Sequence, residues 1–228
     1  MTDKLFLHQQ LLLLAIRDGE GTFHTGMYRY AVGGAMVSEL LIQQRIVAND
    51  DKKQIVAIVD DSSTGDEILD ELLGLIAGAK KNRGMQHWVS KAALLPKLQH
   101  RLAQQLCHLG ILQQDEKKVL WLFTQQIYPE LDGTVEDGIR ARMAKVMFDE
   151  QANPDARTAV LIALGLHAGL LRFNFAKDEL SQHRVRIKNI ANGDVLATGA
   201  TQATIQAVQA AAVMATILPA MTAATVSH

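Results

Sequence analysis

One cysteine and four prolines in 228 residues exclude a good deal of architecture at once. A lone thiol, Cys107, forms no intramolecular disulfide and supplies no cysteine-rich metal site. On the helical stretch 97–109 it reads as a small buried apolar residue. Four prolines leave room for long uninterrupted helices. Aromatic residues make up only 5% of a chain that is 48% hydrophobic. The core must therefore be aliphatic, and its Ala, Leu and Met favour helix. An excess of either charge is missing too: formal net charge is −1 and the isoelectric point about 6.7. A dedicated nucleic-acid binder is normally more basic, whereas a membrane-surface protein needs only a local basic patch on a neutral body. No apolar run reaches the roughly 18 residues of a membrane span. The last 34 residues contain no Asp, Glu, Lys or Arg, but Gln202, Gln206, Gln209 and Pro219 interrupt them. A packed helix over 200–218 with a frayed end is expected. No signal-peptide pattern opens the chain, where Lys4-Leu5-Phe6 runs into an amphipathic helix. The expected location is cytoplasmic, with peripheral attachment to the cytosolic face of a membrane allowed.

What is present reads mainly as helix. Residues 4–16 and 30–44 are helical, joined by the acidic-glycine turn Arg17-Asp18-Gly19-Glu20-Gly21. Arg45–Ala48, the turn Asn49–Lys53 and the β-branched run Gln54–Asp60 predict a hairpin. Thr64 and Glu67 have capping-box spacing before Ile68-Leu69-Asp70-Glu71-Leu72-Leu73. Helices follow at 85–93 and 97–109. A second hairpin is expected over 111–123, with Asp115-Glu116-Lys117-Lys118 as its turn. Read so, the two hairpins suggest a duplicated helix–hairpin unit. Val135–Gln151 is a helix, and residues 177–190 are polar helix or extended chain. The segment opened by Asp155-Ala156-Arg157, running to Leu171, is apolar nearly all round and predicts a central buried helix. The expected fold is mainly α: one globular helical domain over 1–228, ordered over about 4–218, with two short β-hairpins.

Several short motifs in order resemble the Golgi phosphoprotein 3 family. They are Leu11–Leu14 with Asp18, Glu20 and Gly21; Gly34, Met36, Glu39 and Leu40; Thr64-Gly65-Asp66; Leu106 with Gly110, Ile111 and Leu112; Ile139, Arg140, Arg142 and Lys145; and Ala163–Ala168. The resemblance implies a peripheral membrane protein that recognises phosphatidylinositol 4-phosphate. It also implies a ligand set. Arg142 and Lys145 fall on the family's two basic headgroup ligands, and their spacing puts them on one helix face. Arg140, about 200° from Arg142, points elsewhere. The family's aromatic Trp and a further Arg fall here on His24 and Gly33, both departures. Histidine can stack or donate to phosphate, and Gly33-Gly34 could expose backbone N–H groups as an anion nest; Tyr28 and Arg29 stand nearby as substitutes. The short connection between Lys145 and Asp155 and the lack of a long basic N-terminal arm suggest a minimal, bacterial-type member.

Catalysis finds little support: GxSxG, P-loop, HExxH and EF-hand patterns are absent, and the histidines are scattered. No enzyme activity, metal or cofactor is expected. The partner expected is an anionic phospholipid headgroup; oligomerisation is compatible with the sequence, and nucleic acid is not expected. The competing reading is a winged-helix-like DNA binder using the 97–123 helix and hairpin, with Lys97, His100, Arg101, Lys117 and Lys118 as contacts.

Overall fold

The computed structural model describes residues 5–17, 19–24, 28–49, 52–119, 123–196 and 201–213. Lys4, Asp18, Asp50, Asp51, Leu120–Leu122 and the end of the expected last helix, 214–218, lie outside the described residues.

Among the described residues, helices dominate. They are α1 (Leu7–Ala15), α2 (Tyr28–Ile42), α3 (Glu67–Ala77), α4 (Met85–Ala93), α5 (Leu98–His108), α6 (Thr134–Phe148), α7 (Ala156–His167), α8 (Leu171–Asn174), α9 (Lys177–Gln182), α10 (Arg184–Asn192) and α11 (Gln202–Ala212). Two antiparallel ribbons complete the set. β1 (Ile46–Ala48) pairs with β2 (Val56–Ile58), Ile46 opposite Ile58; β3 (Asp115–Val119) pairs with β4 (Phe123–Ile127), Asp115 opposite Ile127. The expected class, mainly α with two short hairpins, is the observed one.

The centre belongs to three helices rather than one. α7 is buried from Thr158 to Gly165, as its apolar run requires. It packs against α2, α10 and α11. α2 runs beside it and also contacts α1 and α4. α1 is not amphipathic in place: all nine of its residues are buried, including His8, Gln9 and Gln10. The two amides reach specific acceptors, which is what allows their burial. Gln9 Nε2 donates to Gln105 Oε1 at 3.0 Å, and Gln10 Nε2 donates to the Leu5 carbonyl at 2.8 Å. His8 Nε2 lies 3.5 Å from Asp66 Oδ1, an electrostatic contact without hydrogen-bond geometry.

Several sequence motifs turn out to be joints of this core. Glu39, 1% exposed, accepts from the Leu7 N–H at 2.9 Å and takes both terminal nitrogens of Arg157 at 2.8 Å. Arg157 also donates to the Leu5 carbonyl at 3.1 Å. One buried ion pair thus ties α1, α2 and α7. The α3 start lies where the capping-box spacing put it, but the cap is Asp66, whose carboxylate accepts from the Ile68 and Leu69 N–H groups. Thr64 and Ser63 instead donate to Asp70 at 2.6 and 2.7 Å. Gly21 has φ +62°, and a Cβ there would meet Pro129 N at 2.5 Å. The acidic-glycine turn therefore presses on the end of β4, where the Tyr128 N–H donates to the Gly21 carbonyl at 2.8 Å.

Three expectations are corrected. Asp115-Glu116-Lys117-Lys118 forms β3 rather than a turn. From Gln113 to Lys118 every residue is exposed, so the ribbon buries no face to exclude charge from strand, and turn-like composition misleads. The two hairpins consequently differ and do not form a repeated unit. Cys107 is half-buried rather than buried, its thiol pushed up by burial. Residues 177–190 take the helical form of the two expected, divided at His183 into α9 and α10.

Candidate functional site

α6 presents two cations to one side. Arg142 is half-buried and Lys145 exposed, and their spacing puts them on a common face. Arg142 donates through Nη2 to Gln10 Oε1 at 2.5 Å, so α1 fixes where the guanidinium sits. Lys145 has no side-chain partner among the described residues. A pinned Arg beside an exposed Lys is a sound start for an anion: the first supplies directional N–H donors, the second a point charge.

His24 lies at the other end of α1. Its N–H donates to the Ala15 carbonyl at 2.9 Å. Its ring stacks on Phe173 of α8, with centroids 4.0 Å apart and planes 11° from parallel. The Arg172 guanidinium sits 4.6 Å above the Phe173 ring, and Phe173 remains 38% exposed. Asn174 donates to the Leu14 carbonyl at 2.9 Å and accepts from Arg140 Nε at 3.1 Å. Arg140 also pairs with Glu136 at 2.7 Å and Asp137 at 3.5 Å. It is a structural cation on a different side of α6, as its angular offset implies. The His24 N–H and the Asn174 amide satisfy carbonyls at the α1 C-terminus, where free carbonyls would repel an anion.

The structure therefore relates two of the four expected site residues, Arg142 and His24, through α1, and Lys145 shares the helix face of Arg142. The partners of Arg142 and His24, Gln10 and Ala15, are five residues apart, or roughly 7–8 Å along the helix axis. Gly33 does not join them. It is buried inside α2, where a Cβ would meet the Val89 carbonyl oxygen at 2.4 Å and Ala93 N at 2.9 Å of α4. Gly33 and Gly34 lie beyond the first four N–H groups of the helix, and both are buried, so they expose no anion nest. Glycine stands at 33 because two helix backbones meet there. Sequence reasoning missed Phe173, Arg172 and the positioning amides of Gln10 and Asn174. An exposed aromatic between Arg and Asn, in a chain so poor in aromatics, was the available signal for the first two. The amides carried no signal.

The DNA-binding alternative fares less well geometrically. Arg101 is engaged by Glu71 at 2.5 Å, and consecutive Lys117 and Lys118 point to opposite faces of β3. Among the described residues no group of His, Cys, Asp and Glu is arranged to hold a metal, and no helix is long and apolar enough to cross a membrane.

Comparison with known proteins finds one family and its relatives. The family described as Golgi phosphoprotein 3 (GPP34) matches residues 7–211. The chain is 27% identical over 164 residues to vacuolar protein sorting-associated protein 74 of Eremothecium gossypii, covering 63% of this chain and 49% of that protein. It is 26% identical over 165 residues to the Schizosaccharomyces pombe protein of the same name, covering 63% and 48%. The match thus spans about half the length of these relatives. The family match runs from the first residue of α1 into α11 and includes Gly21, Glu39, Asp66 and Arg157. On that evidence, this chain belongs to the Golgi phosphoprotein 3 family.

Proposed function

We propose that the chain is a peripheral, non-enzymatic adaptor that binds anionic phospholipid headgroups of the phosphatidylinositol 4-phosphate type at the cytosolic face of a membrane. The observation that carries this reading is the Arg142–Lys145 face of α6, set beside α1 in a chain of this family. Arg142, oriented by Gln10, offers donors to a phosphomonoester, and Lys145 adds charge. The His24–Phe173 stack, with Arg172 above it, supplies an aromatic surface with a cation, suited to the interfacial zone of a bilayer. Gly33 enters only as the residue that lets α2 and α4 close.

Salt-dependent liposome sedimentation tests the reading. Vesicles of phosphatidylcholine doped with phosphatidylinositol 4-phosphate should retain the protein at low salt, and Arg142→Ala with Lys145→Ala should weaken retention at least about tenfold. Retention unchanged in that variant would discard the site. Indifference to all anionic vesicles, together with a shift of duplex DNA, would favour the nucleic-acid alternative.

A further inference from the structure

A cleft of about 520 Å³ opens where the first turns of α2 and α5 meet the end of β4, lined by Arg29, Lys97, Gln99, His100, Gln126 and Tyr128. None of these residues lies on α6 or α8. Every titratable lining group apart from the tyrosine is a potential cation, and no carboxylate lines the cleft. By contrast, Arg45, Arg101, Arg140 and Arg157 each pair with a carboxylate. Arg29 and Lys97 are exposed and have no side-chain partner among the described residues. Glu116, which approaches the rim, accepts from Gln126 Nε2 at 2.6 Å.

The polar wall is preset by two buried tyrosines. The Tyr28 hydroxyl donates to Gln99 Oε1, which leaves the Gln99 NH₂ group to donate elsewhere. The Tyr128 hydroxyl engages His100 Nδ1, which leaves Nε2. Lys97 adopts φ +51° at the N-cap of α5 and makes no capping bond with its side chain. The backbone N–H groups of Gln99 and His100, second and third in the helix, therefore have no side-chain cap. A left-handed lysine is costly where glycine or asparagine would sit at ease, and here it sets the ammonium at the mouth of a basic cleft.

We propose that this cleft is an anion site, separate from the Arg142–Lys145 face, that takes a doubly charged phosphomonoester carried by a small soluble molecule or by a lipid headgroup. Glycerol 3-phosphate is the soluble probe, and phosphatidylcholine vesicles doped with phosphatidylinositol 4-phosphate are the membrane probe. In amide spectra of the full chain, glycerol 3-phosphate should shift Gln99 and His100 saturably. Arg29→Gln with Lys97→Gly should weaken this at least about tenfold, whereas Arg142→Ala with Lys145→Ala should leave it unchanged. Lys97→Gly relieves the backbone strain and should not lower the melting temperature, so lost binding is not lost folding. Weakened vesicle retention in the cleft variant would assign the ligand to a headgroup, and unchanged retention to a soluble phosphoester; either supports the site. Absent shifts in the wild type, or shifts abolished only by the α6 substitutions, overturn it. Loss of duplex DNA binding alone would overturn it in favour of a nucleic-acid contact.

Discussion

Replacing Arg157 by Ala should be among the most damaging single changes in this chain away from its ligand surfaces. Glu39 is 1% exposed and receives both terminal nitrogens of Arg157 at 2.8 Å. After the change its carboxylate keeps only the Leu7 N–H and the Gln43 amide, at 2.9 and 3.0 Å. Stranding one partner of a buried pair costs about 3–5 kcal/mol. The Arg157 side chain is 32% exposed, so solvent screening brings this to roughly 2–4 kcal/mol. For a chain of this size each kcal/mol moves the melting temperature by about 2–4 °C, giving a fall of roughly 5–15 °C. Calorimetry reads the fall, and hydrogen exchange at the Leu7 amide reports the loosened α1 start. Arg157→Lys should rescue poorly, since one ammonium cannot reproduce the two-pronged contact. A double cycle with Glu39→Gln isolates the coupling. A loss below about 1 kcal/mol, with Leu7 still protected, would refute the assignment of this pair as the joint between α1, α2 and α7.

Gly33→Ala should destabilise by about 1–3 kcal/mol in chemical denaturation through collision with the α4 backbone, while Gly74→Ala, open on the exposed side of α3, should stabilise by about 0.5–1 kcal/mol. His24→Trp should keep the stack on Phe173 and raise vesicle retention in sedimentation; lower retention would remove position 24 from the site. Burial holds the His167 imidazole below its ordinary value. The unfolded chain then binds more protons in the window from about 6.5 downward. Stability should fall as pH is lowered through that window, and His167→Leu should flatten that slope in urea midpoints taken on both sides of it. Burial raises Asp66, but His8, the Leu69 N–H and Gln105 outweigh it and hold the carboxyl below the usual range. Its contribution is present above the unfolded value of about 3.9 and lost as pH falls through the folded one. Asp66→Asn should therefore cost stability at neutral pH and much less in strong acid, as read by thermal melts.

The helices were legible because their signals are local. The 3.6-residue spacing of Ile68, Leu69, Leu72, Leu73 and Ile76, or the apolar run after Arg157, needs no partner to be recognised. Family motifs marked Glu39, Asp66 and Gly21 as signatures without saying what they do. Their roles depend on Arg157, His8 and Tyr128, distant in sequence and near only after folding. The β3–β4 ribbon was shifted because its strands face solvent on both sides, so no alternation records them. Site residues divided the same way. Arg142 and Lys145 share a face by helix geometry alone, whereas the burial of Gly33 against α4 and the stacking of His24 on Phe173 are tertiary facts.

α1 carries a further consequence through its three buried polar residues. A purely apolar helix in that position could slide by a turn or rotate at small cost, because leucines are nearly interchangeable against an aliphatic wall. Across the fold His8 meets Asp66, Gln9 meets Gln105, and Gln10 meets Arg142 and the Leu5 carbonyl. These are keys cut for separate locks on α3, α5 and α6, and any other setting would strand them together. The cation that faces the membrane in the proposed function is one of those locks. An anion that drew Arg142 away from Gln10 would withdraw one key, and the placement of the most buried helix would register the occupancy of the surface.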